Sequence, residues 1–116
     1  MDIAQREKRL NRMVLEGKAL EAFDEFYADD VVMQEGADEV YEGKETNRKR
    51  EEEFFSKVTD LRDFSLKHSV VGDGVSMSTW HLDFTHEEWG DQKFDQVAVR
   101  HWNDEGRITK ERFYKG

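Results

Sequence analysis

The spacing of apolar residues changes period once along this chain, and that change most restricts the fold. In the first half, Leu10, Met13 and Val14, then Leu20 and Phe23, recur every three or four residues with charges between them, which predicts helices. From Arg62 onward the period is two. Phe64, Leu66, His68 and Val70 fall on one face of a strand, and Ser76, Ser78, Trp80, Leu82 and Phe84 fall on one face of the next. Phe94, Gln96, Ala98, Arg100 and Trp102 do the same on a third strand, and Arg107 to Tyr114 forms the last. Gly72-Asp73-Gly74, the stretch from Glu87 to Asp91 and Asn103-Asp104-Glu105-Gly106 supply the turns between them. Helices followed by an antiparallel meander predict an α+β fold with the helices packed on one sheet face.

Finer boundaries follow from local signals. Gly17 separates two short helices, and Phe26-Tyr27 ends the second. Ala28-Asp29-Asp30 is expected to turn into a short strand, Val31 to Glu35, which stops at Gly36. A third helix is expected from about Lys44 to Lys57, with Phe54, Phe55 and Val58 at its apolar end. Its run Arg48-Lys49-Arg50-Glu51-Glu52-Glu53 reads as a solvated ion-pair face, with Arg48 opposite Glu52 and Lys49 opposite Glu53. A four-residue final loop would pair Trp102 with Arg107, Arg100 with Thr109 and Ala98 with Glu111, which turns Glu111 inward. A shift of one residue would turn it outward.

Length and composition then limit the function. With 116 residues the chain has room for one domain, 1–116. Its net charge of −9 argues against nucleic acid and anionic membrane surfaces as partners, since both recruit Lys and Arg. No apolar run is long enough to span a bilayer, and residues 1–7 lack the core of a secretory signal, so a cytoplasmic location is expected. The absence of cysteine excludes thiolate chemistry and disulfides. His81, His101, Asp83 and His86 show no metal-ligand spacing, and no glycine-rich phosphate loop follows a strand, so neither a metal nor a cofactor is expected.

Three segments carry a family resemblance. They are Tyr27-Ala28-Asp29-Asp30-Val31-Val32, Tyr41-Glu42-Gly43-Lys44-Glu45, and Trp102-Asn103-Asp104-Glu105-Gly106-Arg107-Ile108 with Glu111-Arg112-Phe113-Tyr114. In this order the chain resembles the SnoaL-like branch of the nuclear-transport-factor-2-like superfamily. The resemblance implies a cone whose curved, mostly antiparallel sheet wraps the helices around an apolar pocket, often in a homodimer. It implies little about activity, because the fold hosts isomerases, cyclases, hydrolases and non-catalytic binding modules.

Within that frame, Glu35 stands where the similar ketosteroid isomerases place their proton-abstracting carboxylate. Their oxyanion donors have no counterpart here: no tyrosine occurs between Ile3 and Phe26, and Ala98 stands in place of the strand acid. That mechanism is therefore disfavoured. Two readings stay open. In one, Glu35 or Glu111 moves a proton, Gln96 and Arg100 bind an anionic or carbonyl group, and Trp80, Leu82, Phe84 and Trp102 form apolar walls around a carbonyl-bearing or polyketide-like compound. In the other, Arg100 and Glu111 merely tie two strands together, the aromatics are core, and the domain is a non-catalytic ligand-binding or dimerisation module. Val75, Met77, Thr79, Val97 and Val99 on the opposite sheet face suggest pairing with a second copy.

Overall fold

The computed structural model describes residues 2–116, and the change of period marks where its helices give way to long strands. Helix α1 (Ile3–Leu15) starts at Asp2, whose side chain accepts from the Gln5 N–H at 3.2 Å. It ends in a paired C-terminal motif: Lys18 N–H reaches Met13 O at 2.8 Å and Gly17 N–H reaches Val14 O at 3.1 Å. Gly17 adopts φ +81°, the left-handed conformation this stop requires. Helix α2 (Ala19–Phe26) follows, and strand β1 (Tyr27–Glu35) leaves it directly. Ala28-Asp29-Asp30 is thus extended strand rather than a turn. The irregularity it introduces is taken up in the pairing, where register shifts between Tyr27 and Val32.

Strand β2 (Val40–Glu42), which the sequence pattern did not reveal, hairpins back on β1. Helix α3 (Lys44–Ser56) occupies nearly the expected span. Its start is fixed by buried Asn47, whose amide donates to Tyr41 O at 3.0 Å and Gly43 O at 2.9 Å. Four long or medium strands complete the chain: β3 (Val58–Val71), β4 (Val75–His86), β5 (Gly90–Trp102) and β6 (Ile108–Lys115). All six strands form one mixed sheet in the order β2-β1-β6-β5-β4-β3, antiparallel except for the parallel β1–β6 pair. Three helices on this sheet give the expected α+β fold.

Two of the sheet's register shifts bear on the side chains expected to face inward. On β3, Leu66 pairs with Trp80 but His68 pairs with Thr79, so Lys67 is the extra residue. Phe64 and Leu66 therefore face the core, whereas His68 and Val70 turn to the outer face, contrary to simple alternation. On β6, Trp102 pairs with Ile108 and Arg100 with Glu111, with the irregularity beside His101. Relative to the expected pairing this is two successive one-residue shifts. Their parities cancel, so Glu111 still faces inward, now directly opposite Arg100.

The core has two apolar clusters. One joins Leu10, Phe23, Phe26, Val31, Trp102 and Ile108; the other joins Trp80, Leu82, Phe84 and Ala98 to half-buried Phe54, Phe64 and Phe94. Val14 and Phe113 pack against both.

Candidate functional site

Between the helices and the inner sheet face lies a cavity of about 800 Å³, lined by residues of both clusters. Its floor is a polar network that the flanking elements close off. The Arg100 guanidinium donates from Nε to Glu111 Oε2 at 2.7 Å, and from Nη1 to Glu7 Oε1 at 3.0 Å and Asn11 Oδ1 at 2.9 Å. Ser78 donates to Glu7 Oε2 at 2.6 Å and accepts from the Asn11 amide at 2.8 Å. Tyr27 donates its hydroxyl to Glu111 Oε2 at 2.6 Å. Glu7, Asn11, Ser78, Arg100 and Glu111 are all buried, which makes the network costly to leave incomplete. It is complete but for one buried atom among the described residues: Glu111 Oε1 has no hydrogen-bond partner.

The network sets its own protonation. Burial opposes the Arg100 charge, but the adjacent Glu111, Tyr27 and Glu7 outweigh it and hold the guanidinium above its ordinary value. Burial, and then the Glu111 charge, push the Tyr27 hydroxyl well above the usual tyrosine range, so it stays a donor.

Two further carboxylates line the cavity. Glu35, half-buried at the end of β1, is raised from its ordinary value chiefly by burial. Glu51, half-buried on α3, is raised to about 7, first by burial and then by the negative charge of Glu111. A carboxyl near 7 in an apolar setting holds and releases a proton at neutral pH. Sequence reading placed Glu51 on a solvated ion-pair face, and the structure corrects this. Arg48 does meet Glu52 at 2.7 Å, but Lys49 turns back to Glu45 at 3.3 Å and Glu53 pairs with Lys57 at 2.9 Å. Glu51 is left to the inner face with Asn47 and Phe54. That 47–51–54 spacing is the helical period that could have found it.

Of the residues singled out from the sequence, Glu35, Gln96, Arg100 and Glu111 all line the cavity, with Trp80, Leu82 and Phe84 as walls. Trp102 does not. It packs edge-on to Phe26 at 6.3 Å and donates to Ser76 at 2.8 Å, because the Ile108 pairing draws it into the core behind the floor. His68 is exposed on the outer face. His86, in contrast, is buried at the cavity rim, stacked on Trp89 at 3.8 Å, with Nδ1 accepting from the Glu88 N–H at 3.1 Å. The outer-face imidazole of His81 bonds Asp95 at 2.7 Å. Glu7 escaped sequence reading too, although it shares the Ile3–Leu10–Val14 helical face. A lone inward arginine needs buried acceptors, and α1 was the place to seek them.

Residues 1–115 match the sequence profile of a SnoaL-like domain. No curated protein matches the chain in sequence. Among solved structures, a candidate SnoaL-like polyketide cyclase from Mesorhizobium loti, also labelled carbohydrate phosphatase, is similar with a TM-score of 0.88. It is 24% identical, and the match covers 98% of this chain and 99% of that one. A candidate isomerase of the SnoaL-like family from Agrobacterium tumefaciens is 15% identical with a TM-score of 0.71, over 97% and 98% of the two chains. A nuclear-transport-factor-2-like protein of unknown function from Burkholderia pseudomallei is 10% identical with a TM-score of 0.80, over 100% and 92%. At these identities the likeness is one of fold.

Proposed function

The chain belongs to the SnoaL-like domain family, and on that premise we propose that its cavity binds a small apolar carbonyl compound and moves protons on it. The observation that carries this reading is the set of three carboxylates, Glu35, Glu51 and Glu111, around one apolar cavity of about 800 Å³. They are held in different states. Glu111 is fixed by Arg100 and Tyr27, while Glu51 and Glu35 sit where burial favours the protonated form. A carboxylate of this kind takes a proton from the carbon beside the carbonyl, and the electron pair moves to the carbonyl oxygen. A protonated neighbour then donates to that oxygen or returns the proton elsewhere on the compound.

In this reading Glu35 and Glu51 exchange the proton, and Gln96 is the available amide donor. Arg100 holds Glu111 through Nε, and Glu7 and Asn11 through Nη1. The protein would act without a cofactor, as a single-domain cytoplasmic homodimer. Its outer sheet face exposes Val70, Met77 and Tyr114 by 61%, 42% and 41%, and this is the surface proposed to pair. Sedimentation should then give twice 13.8 kDa; a 13.8 kDa species rejects the pairing.

Exchange of the α-hydrogens of an apolar cyclic ketone in D₂O, followed by NMR, tests the chemistry. Wild type should accelerate exchange, and Glu35→Gln/Glu51→Gln should lose most of that acceleration, by about 10²-fold or more. Equal rates with both proteins would leave a binding module rather than an enzyme.

A further inference from the structure

We infer that the compound taken up by this cavity carries a protonated amine, which seats on Glu111 Oε1 at the cavity floor. The inference rests on the reading of the cavity as a small-molecule site and names the class of molecule that fits it. Glu111 is 1% exposed, lines the cavity, and has one carboxylate oxygen with no partner among the described residues. A buried carboxylate oxygen is an acceptor only, so what completes it must bring an N–H or O–H.

Charge selects between those donors. The floor holds two carboxylates, Glu7 and Glu111, against one guanidinium, Arg100, which leaves one unmatched negative charge when all are ionised. Glu51 and Glu35 add to the same sign. Arg50 and Lys115, the cations nearest these two, offset their charge in part but pair with no carboxylate among the described residues. Arg50 lies 3.6 Å over the Tyr41 ring and bonds Asn47 at 3.0 Å, and Lys115 lies 4.5 Å over the Phe94 ring. An ammonium therefore gains both the missing hydrogen bond and the unmatched charge, where an alcohol gains only the first. An anion gains neither at this oxygen. The aromatic walls around the floor, among them Phe23 and Trp80, accept a cation on their faces and an apolar body along their length.

Calorimetric titration of the full chain with 2-phenylethylamine, 2-phenylethanol and 3-phenylpropanoate at pH 8 tests this. The amine should bind at least about tenfold tighter than either other probe, and Glu111→Gln should remove that preference. Tyr27→Phe, which removes one of the two donors to Glu111 Oε2 without touching the charge, should retain it. If Glu111→Gln does not fold, Glu51→Gln carries the test: it should weaken the amine several-fold and leave the alcohol unchanged. Binding of the carboxylate as tightly as the amine, or no binding of the amine at millimolar concentration, overturns the inference. Amine preference without ketone exchange would instead preserve it and remove the proposed chemistry.

Discussion

The floor and the mouth of the cavity are built from the same materials, carboxylates and aromatics, yet they behave as opposites. At the floor, Glu7 and Glu111 are each bonded twice or more and fixed around Arg100, with Tyr27, Asn11 and Ser78 filling the remaining places. Toward the mouth, Glu35 and Glu51 have an apolar surround and no side-chain partner among the described residues, and burial, reinforced by the Glu111 charge, drives them toward the protonated form. The difference is one of compensation. A buried charge with matched hydrogen bonds is a structural fixture, whereas a half-buried charge without them becomes a proton store.

Removing the floor's cation should have the largest effect. Arg100→Met leaves Glu7 and Glu111 buried and unpaired, and chemical denaturation should show a loss of about 3–5 kcal/mol. A loss under about 1 kcal/mol would mean that the floor is not a fixture. Truncation of the core behind it comes next. Phe26→Ala removes a fully buried ring that packs against Trp102, and should cost about 3–5 kcal/mol, at or a little below the arginine loss.

The mouth predicts a smaller effect with a definite sign. Glu51 holds its proton to about pH 7 in the folded chain but only to about its ordinary 4.5 when unfolded. The folded state thus binds the extra proton between those values, and stability should fall as pH rises through that window and level off above it. The fall should amount to about 1–3 kcal/mol and should flatten in Glu51→Gln. An unchanged slope in the variant would assign the effect to another group. The smallest effect belongs to the exposed clasp at the rim, where Lys57 pairs with Glu53 and Glu88. Lys57→Ala should leave the denaturation midpoint almost unmoved, and still less shifted at high salt.

The same contrast explains what the sequence revealed. Regular alternation shows the inner face of β4 from Ser76 to Phe84 and of β5 from Phe94 to Trp102, because every second residue there obeys it. Where a bulge inserts one residue, alternation fails: it predicts His68 inward, because nothing in Leu66-Lys67-His68 announces the extra position. At β6 two such shifts cancel, so Glu111 faces inward although its partner is Arg100 and not Ala98. The floor's residues on strands were legible, but Glu7 and Asn11 were not, since a polar residue on a helix is ordinarily solvated and only the unmet need of Arg100 points to them. Glu51 was hidden by its neighbours. Four of the six residues from Arg48 to Glu53 form surface ion pairs and Arg50 lies over Tyr41, and only the fall of Asn47 and Phe54 on its own side sets Glu51 apart.

Titration of the Glu51 side-chain carboxyl by ¹³C NMR addresses the difference between floor and mouth most directly. A midpoint near 7, shifted downward in Glu111→Gln as the neighbouring charge is removed, is the expected result. A midpoint at the ordinary 4.5 would mean that the mouth is wet and its carboxylates solvated, and the proton store proposed for this cavity would not exist.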